Sequence, residues 1–267
     1  MSSPLNVGAQ ENNRRTIQAT RGEYVAFCEG DDHWHSADKL ALQVAYLQEH
    51  PTCILVHSGY ELRFEDTGRY LRNALRVSKS WNDARAFEEL LTGRRNVLTV
   101  TAVVRNRPLQ RVLAEQPECS DPKYLMGDLQ LWLELSRLGE VHCLPSSLAT
   151  HNMLAESATH SANPDRELRF ALSLRELVYH YLRKYPCGAV CERQATKWVS
   201  FFALSKASRA GKRDLTRELY REFSSVWGTF SPHAWLLYQA SASRLARAVC
   251  APLTAVYLAL RQCVRVR

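Results

Sequence analysis

Three carboxylates lie within four residues near the start of the chain, directly after the apolar stretch 24–28. They belong to Glu29, Asp31 and Asp32, and Gly30 separates the first from the second. Like charges this close repel one another unless a cation joins them. Oxygen ligands of this kind suit Mg²⁺ or Mn²⁺, which often share their remaining coordination positions with substrate phosphates. The group therefore indicates a metal site, although an acidic loop that only precedes a helix has the same composition.

A fourth carboxylate of interest comes about a hundred residues later. Asp128 follows Gly127 and precedes residues 129–138, in which apolar side chains recur at helical spacing. An aspartate at the start of a helix is a favourable N-cap and contributes about 1 kcal/mol. The same carboxylate acts as a general base where it faces a crevice. Position alone favours the cap, and both roles stay open.

The surrounding pattern predicts alternating strands and helices. Residues 24–28 and 53–60 are apolar, β-branched or aromatic and predict buried strands. Between them, Leu40, Val44 and Leu47 form an apolar stripe and predict a helix capped by Ser36. Further strands are predicted at residues 97–105, 141–144 and 148–151, and further helices at residues 83–91 and 129–138. The acidic group follows a strand, which is where open α/β sheets bind ligands.

The character of the chain changes near Pro164. Helices are predicted at residues 165–184, 192–210 and 214–223 and from residue 233 onward. Residues 1–160 carry 17 basic and 20 acidic side chains, whereas residues 161–267 carry 18 and 7. We therefore expect an α/β domain at 1–160, followed by a basic all-α region at 161–267.

The basic region indicates contact with anions. Arginines at 244, 247, 261, 265 and 267 flank the apolar residues 248–260 and suit peripheral contact with an anionic membrane, although an ordinary solvated helical bundle explains them equally. As a helix the apolar stretch would be about 20 Å long, too short to span a bilayer. No nucleic-acid-reading motif accompanies the charge, so no nucleic-acid partner is expected.

The eight cysteines predict no disulfide framework. Cys187 and Cys191 alone are close in sequence, and their spacing is not the C-x-x-C of a redox pair or zinc knuckle. The others fall in apolar runs, where a thiol behaves as a small apolar group. Reduced thiols and a cytoplasmic location are therefore expected. The opening residues also lack the basic and apolar regions of a secretory signal.

Five features in order resemble one family. They are the string NVGAQEN at 6–12, the string RGEYVAFCEGDDHW at 21–34, the pairs Lys39-Leu40 and Gln43-Val44, the strand-like residues 96–105, and GDLQLWL at 127–133 with Gly139. Together they resemble the middle of the family 2 glycosyltransferases, which have the GT-A fold. The E-G-D-D-x-W variant is similar to a subgroup associated with surface-polysaccharide synthesis. The resemblance covers about residues 6–160 and implies a partial GT-A sheet with flanking helices.

The resemblance implies transfer of a sugar from a nucleoside diphosphate to a hydroxyl of a glycan or lipid-linked acceptor, with inversion. Asp31 and Glu29 would hold Mn²⁺ or Mg²⁺, and Asp128 would take the proton of the acceptor. The donor would be bound by Asn6, Gly8, Asn12, Glu29 and Asp32, where Asp32 either contacts the donor sugar or holds the turn. The implied location is the cytoplasm, peripherally on the inner face of the cell membrane.

Three departures from the family pattern qualify this expectation. Glu29 stands where the family usually has Asp, and Asn152 and Leu154 stand where it often has Arg and His, which leaves His151 and His160 as weak substitutes. The chain also begins inside the donor-binding half, so the strand at residues 24–28 would have an uncovered edge. We therefore also expect that it is a fragment, that another chain completes it, or that it is a non-catalytic remnant or subunit that binds sugar or a partner.

Overall fold

The computed structural model describes residues 7–74, 81–154, 161–228, 230–243, 245–246 and 248–250. It divides into two compact units, Met1–Ser157 and Ala158–Arg267. The first is mixed α/β and the second is helical. This confirms the predicted α/β class with helices in the C-terminal part.

The first unit contains five helices and six strands within its described residues. The helices are α1 (Ala9–Gln18), α2 (Lys39–Glu49), α3 (Ala86–Leu91), α4 (Asn106–Glu115) and α5 (Leu129–Leu138). The strands are β1 (Tyr24–Ala26), β2 (His33–Trp34), β3 (Cys53–Phe64), β4 (Tyr70–Leu71), β5 (Val103–Arg105) and β6 (Glu140–Met153).

One sheet joins all six strands, in the order β1-β5-β3-β6-β2 with β4 paired to β3. β3 and β6 are parallel and the other pairs are antiparallel, so β1, β3 and β6 all run in the same direction. The acidic residues lie between β1 and β2, the two ends of this order. Such a short link joins both ends because the sheet is curled.

The long pair β3 and β6 corrects the prediction of two short strands at 141–144 and 148–151. β6 continues through Pro145, and irregular register around Gly59 of β3 accommodates the interruption. A Cβ added at Gly59 would lie 2.9 Å from the carbonyl oxygen of Pro145 and 3.0 Å from that of Ser146. The two strands therefore stay paired because Gly59 leaves room for the backbone of β6.

Helix α2 buries only part of its predicted apolar stripe, since Leu47 and Val44 pack in the core and Leu40 does not. Leu40 is 41% exposed, whereas Lys39 and Gln43 are buried together with Leu47. The helix begins after Asp38, so the predicted cap at Ser36 is also wrong. The polar pair faces inward because Gln43 donates hydrogen bonds to the backbone, as described below with the site.

Two further elements differ from the sequence prediction. The strand predicted at 97–105 is limited to β5, and Thr99–Thr101 before it forms a 3₁₀ turn. Helix α4 was not predicted, although Leu109 and Val112 are buried on one face of it. Asn106 in its first turn donates a 2.7 Å hydrogen bond to the carbonyl oxygen of Gly22 and so ties α4 to the segment before β1.

The second unit contains α6 (Pro164–Lys184), α7 (Ala189–Arg209), α8 (Arg213–Trp227) and α9 (Pro232–Ala240) among its described residues. Its core includes Leu168, Leu204, Leu219 and Phe223. The carboxylate of Glu222 on α8 joins three helices, because it accepts hydrogen bonds from Arg175 and Tyr179 on α6 and from Ser200 on α7. The prediction of reduced thiols is wrong at one place: Cys187 and Cys191 form a disulfide at the start of α7.

The close approach at Gly59 predicts a loss of stability in the Gly59→Ala variant. The added methyl group meets backbone atoms of β6, which move only if the strand pair opens, so we expect about 1–3 kcal/mol of destabilisation. Urea unfolding of the full chain measures the change. Gly127→Ala is the matched control, because a Cβ at Gly127 meets nothing within 4 Å. Equal stability of the two variants would contradict this account of the β3–β6 pairing.

Candidate functional site

The acidic turn, residues 29–32, begins near the carboxyl end of β1. The backbone N–H of Asp32 donates a 3.1 Å hydrogen bond to the carbonyl oxygen of Glu29 and closes the turn. The N–H of Phe27, just before the turn, donates to the carbonyl oxygen of Ala102. After the turn, the indole N–H of Trp34 donates a 3.0 Å hydrogen bond to the carbonyl oxygen of Val100. The segment is thus fastened on both sides to the residues before β5.

Asp32 is the buried member of the turn, and its side chain is 1% exposed. Its carboxylate accepts a 2.8 Å hydrogen bond from the backbone N–H of Asn152 and lies 3.0 Å from Nδ1 of His151. The side chain of Asn152 also donates to the carbonyl oxygen of Asp31. We call these contacts the Asp32 clamp, because they tie the acidic turn to the end of β6. Of the two roles proposed for Asp32, this geometry serves the holding of the turn.

His151 pairs with Asp32, whereas the sequence suggested it as a weak substitute for a missing metal ligand. The hydrogen bond with Asp32 raises the pKa of His151, and the negative charges of Asp32, Glu29 and Asp31 add to the effect. Protonation of His151 is therefore favoured by the carboxylates of the turn. Asn152 has a clear function here as well, although the sequence showed it only as a departure from the family pattern. His160 lies outside the described residues.

Glu29 and Asp31, the two residues predicted to bind a metal, are both solvent-exposed. The pKa of Glu29 is raised to about 7, mainly because protein atoms displace water around it and also because of the negative charges of Asp128, Asp32 and Asp31, whereas His151 lowers it. Several carboxylates therefore lie close enough to repel one another. A cation from solution can reach both exposed side chains.

Asp128 caps α5 and also belongs to this charged group. Its carboxylate accepts a 2.8 Å hydrogen bond from the N–H of Leu129 and a 3.2 Å hydrogen bond from the hydroxyl of Thr99. Burial raises the pKa of Asp128, and these hydrogen bonds oppose that rise. Among the carboxylates that raise the pKa of Glu29, Asp128 has the largest effect. Tertiary structure therefore brings together the two parts of the predicted site.

A buried lysine lies behind the turn and was not predicted to belong to the site. Nζ of Lys39 is 4.7 Å from the ring centre of Trp34 and donates a 2.7 Å hydrogen bond to Gln43. The amide of Gln43 in turn donates to the carbonyl oxygens of Val56 and Thr101. Burial lowers the pKa of Lys39 to about 8. The spacing of Lys39 and Gln43, one helical turn apart, was the available sequence signal.

The proposed donor-binding residues at the start of the chain are placed on or before α1. Gly8 precedes the helix with φ of +82°, and its carbonyl oxygen accepts a hydrogen bond from the N–H of Asn12. Asn12 is exposed. Gln10 of the same helix donates to the carbonyl oxygen of Tyr124, in the segment that leads to Asp128. Asn6 lies outside the described residues.

The donor set fits a divalent cation only in part. Within the described residues, no group of three or more His, Cys, Asp or Glu side chains is arranged to hold a metal ion. Mg²⁺ is nevertheless often bound by only one or two carboxylates when substrate phosphates supply the other ligands. Glu29 and Asp31 are two exposed carboxylates of this kind. Glu29 and Asp31 therefore fit a cation that arrives with a phosphorylated ligand better than one held by protein alone.

Comparison with models of known protein families finds no match. Curated proteins that match are one from Mycobacterium bovis and two from Mycobacterium tuberculosis, each described as an uncharacterized protein. Each is 32% identical to this chain over 163 residues, which cover 60% of the chain and 43% of the relative. The chain thus spans less than half the length of these relatives, whose descriptions carry no activity.

The charge coupling between Glu29 and Asp128 predicts a titration near neutral pH. We expect Glu29 to ionise around pH 7 and Asp128→Asn to lower that pKa, because the substitution removes the strongest neighbouring negative charge. Since folding raises the pKa, the stabilising contribution of neutral Glu29 is complete below pH 4.5 and is lost as the pH rises through about 7.

Carboxyl ¹³C NMR measures this titration, with the Glu29 resonance identified by its absence in Glu29→Gln. Asp38→Asn, which changes an exposed carboxylate before α2, is the matched control and should leave the midpoint unchanged. If the pKa of Glu29 is near 4.5, or if Asp128→Asn leaves it unchanged, the carboxylates of Glu29 and Asp128 do not share a site.

Proposed function

We propose that the first unit belongs to a metal-dependent, inverting glycosyltransferase with a GT-A-like sheet. The observation that carries the proposal is that one 3₁₀ turn, Thr99–Thr101, is hydrogen-bonded both to Asp128 and to Trp34, just after the acidic turn. Asp128 is also close enough to Glu29 for its charge to raise the pKa of Glu29. The five sequence features that resemble the family 2 glycosyltransferases, and their order along the chain, support the same class of enzyme. The sugar donor is a nucleoside diphosphate, and the acceptor is a hydroxyl of a glycan or lipid-linked saccharide used in surface-polysaccharide synthesis.

In this proposal Asp128 acts as the general base. Its carboxylate accepts hydrogen bonds from Thr99 and the α5 N-terminus, which hold its orientation. In the proposed reaction it takes the proton of the acceptor hydroxyl while that oxygen forms a bond to the anomeric carbon. The bond from the anomeric carbon to the diphosphate breaks, and the diphosphate leaves with the electron pair. Attack opposite to the leaving group inverts the configuration.

In this proposal Glu29 and Asp31 face the diphosphate of the donor. A Mn²⁺ or Mg²⁺ ion bound there would neutralise the negative charge that develops on the leaving diphosphate. The Asp32 clamp positions both carboxylates and leaves them exposed. Ionised Glu29 is the form that binds a cation, and its pKa of about 7 means that binding strengthens as the pH rises from 6 to 8.

A cytoplasmic, membrane-peripheral location remains part of the proposal. No helix in the described part of the chain is long and apolar enough to cross a membrane. The arginines at 244, 247, 261, 265 and 267, on which membrane contact was predicted, lie outside the described residues. The net positive charge of residues 161–267 supports contact with an anionic surface.

The proposal predicts that two substitutions abolish turnover. We expect Asp128→Asn and Asp31→Asn each to lower hydrolysis or transfer from sugar nucleotides at least ~100-fold, because one removes the base and the other a cation ligand. Asp38→Asn should retain activity. Radiolabelled uridine, guanosine and thymidine diphosphate sugars serve as donors, with Mn²⁺ or Mg²⁺, for this chain and for any longer product of the same gene.

Calorimetry with Mn²⁺ and a nucleoside diphosphate distinguishes the alternatives. Binding that requires Asp31, without turnover by any form of the protein, would favour the non-catalytic subunit or remnant. If Asp128→Asn remains fully active, the assignment of the base is wrong. If neither binding nor turnover depends on these carboxylates, the enzyme assignment is wrong.

A further inference from the structure

The one disulfide among the described residues lies in an exposed turn of the second unit. Cys187 follows α6 and is partly exposed, whereas Cys191 in the first turn of α7 is 9% exposed. The residues between them, Gly188, Ala189 and Val190, are exposed, and Val190 is 72% exposed. A reagent in solution can therefore reach the bond from the side of this turn.

The disulfide contributes little as a structural crosslink. It closes a loop of only five residues, and the entropy that a crosslink removes from the unfolded chain is smallest for short loops. The remainder of α7 is held by packing, since Ala195, Val199, Ala203 and Leu204 on its buried face are fully buried. Most of α7 is therefore held by packing, and the bond crosslinks only its first turn to Cys187.

Cys191 lies in the first turn of α7, which begins after Gly188. No side chain caps this end of the helix. The first backbone N–H groups of an α-helix have no partner within the helix, and together with the helix dipole they stabilise a negative charge near the N-terminus. A thiolate that leaves from Cys191 would form at this end of the helix.

We propose that Cys187 and Cys191 form a reversible thiol–disulfide exchange site that is reduced by protein dithiols of the thioredoxin class. A thiolate of the dithiol attacks Sγ of the more exposed Cys187, and Cys191 leaves as a thiolate with the electron pair of the broken bond. The second thiol of the reductant then attacks its own mixed-disulfide sulfur and releases Cys187. Two electrons and two protons pass to the pair, and the reductant becomes a disulfide.

The other described cysteines lack this arrangement. Cys28 is exposed but has no cysteine bonded to it, and burial raises its pKa, with the negative charge of Asp32 adding to the rise. Cys53, Cys119, Cys143 and Cys250 are buried thiols. Exchange is therefore expected at the pair in the second unit, independently of the glycosyltransferase proposal for the first.

Tryptic mapping of the full chain tests the site directly. Cleavage after Lys184 and Arg193 places both cysteines, and no others, in one peptide, residues 185–193. The protein is purified without reductant, treated with reduced thioredoxin or left untreated, quenched with acid and labelled with N-ethylmaleimide in urea. We expect no label on this peptide before treatment and two labels after it. Cys28→Ser should not change the result.

The rate of reduction separates an exchange site from an ordinary crosslink. We expect thioredoxin to reduce the bond in the folded chain roughly fivefold faster than in a synthetic, oxidised peptide of residues 185–193, because the peptide lacks the helix that stabilises the leaving thiolate. A thioredoxin variant without its second thiol should be trapped on Cys187. The proposal is wrong if N-ethylmaleimide still labels the peptide of residues 185–193 after the protein has been oxidised. It is also wrong if thioredoxin reduces the folded chain no faster than the free peptide, or if the thioredoxin variant is trapped on Cys191.

Discussion

The burial of the Asp32 carboxylate is the interaction on which the arrangement of the first unit's site depends. A buried carboxylate is costly unless hydrogen bonds replace its water, and here the backbone of Asn152 and the ring of His151 provide them. Both partners lie at the end of β6, far along the chain from the acidic turn. The position of the turn therefore depends on β6, a strand that is not a neighbour of β1 in the sheet.

This constraint leaves two carboxylates of the turn at the surface. Glu29 and Asp31 are exposed, and Asp128 stays close to them because it caps α5 beside the residues that precede β5. Loss of water around Glu29, together with the neighbouring negative charges, raises its pKa to about 7. A divalent cation with a phosphorylated ligand would relieve the repulsion between these carboxylates, which connects the geometry to the proposed chemistry.

Local patterns in the sequence predicted the strands and helices that carry a regular set of apolar side chains along their whole length. The strands around residues 24–28 and 53–60 and the helix at 129–138 are apolar enough for periodicity to identify them. In helix α2 the predicted apolar stripe is right for Leu47 and Val44 and wrong for Leu40, because the hydrogen bonds from Gln43 to two backbone carbonyl groups favour burial of the side that carries Gln43. The orientation of α2 depends on contacts with Val56 and Thr101, which are distant in sequence. The periodicity of the helix itself carries no information about such contacts.

The sequence by itself determined the α/β class, the order of the carboxylates, the cap position of Asp128 and the charge contrast between the two parts of the chain, since each depends on residue type and short-range spacing. Only the tertiary structure decided that Asp128 lies beside Glu29, that Asp32 is held by β6, and that Lys39 is buried behind the turn. It also decided that Cys187 and Cys191 are bonded, because the turn before α7 brings their Cα atoms to 5.7 Å. These features depend on distances between segments, and such distances are set only when the chain packs.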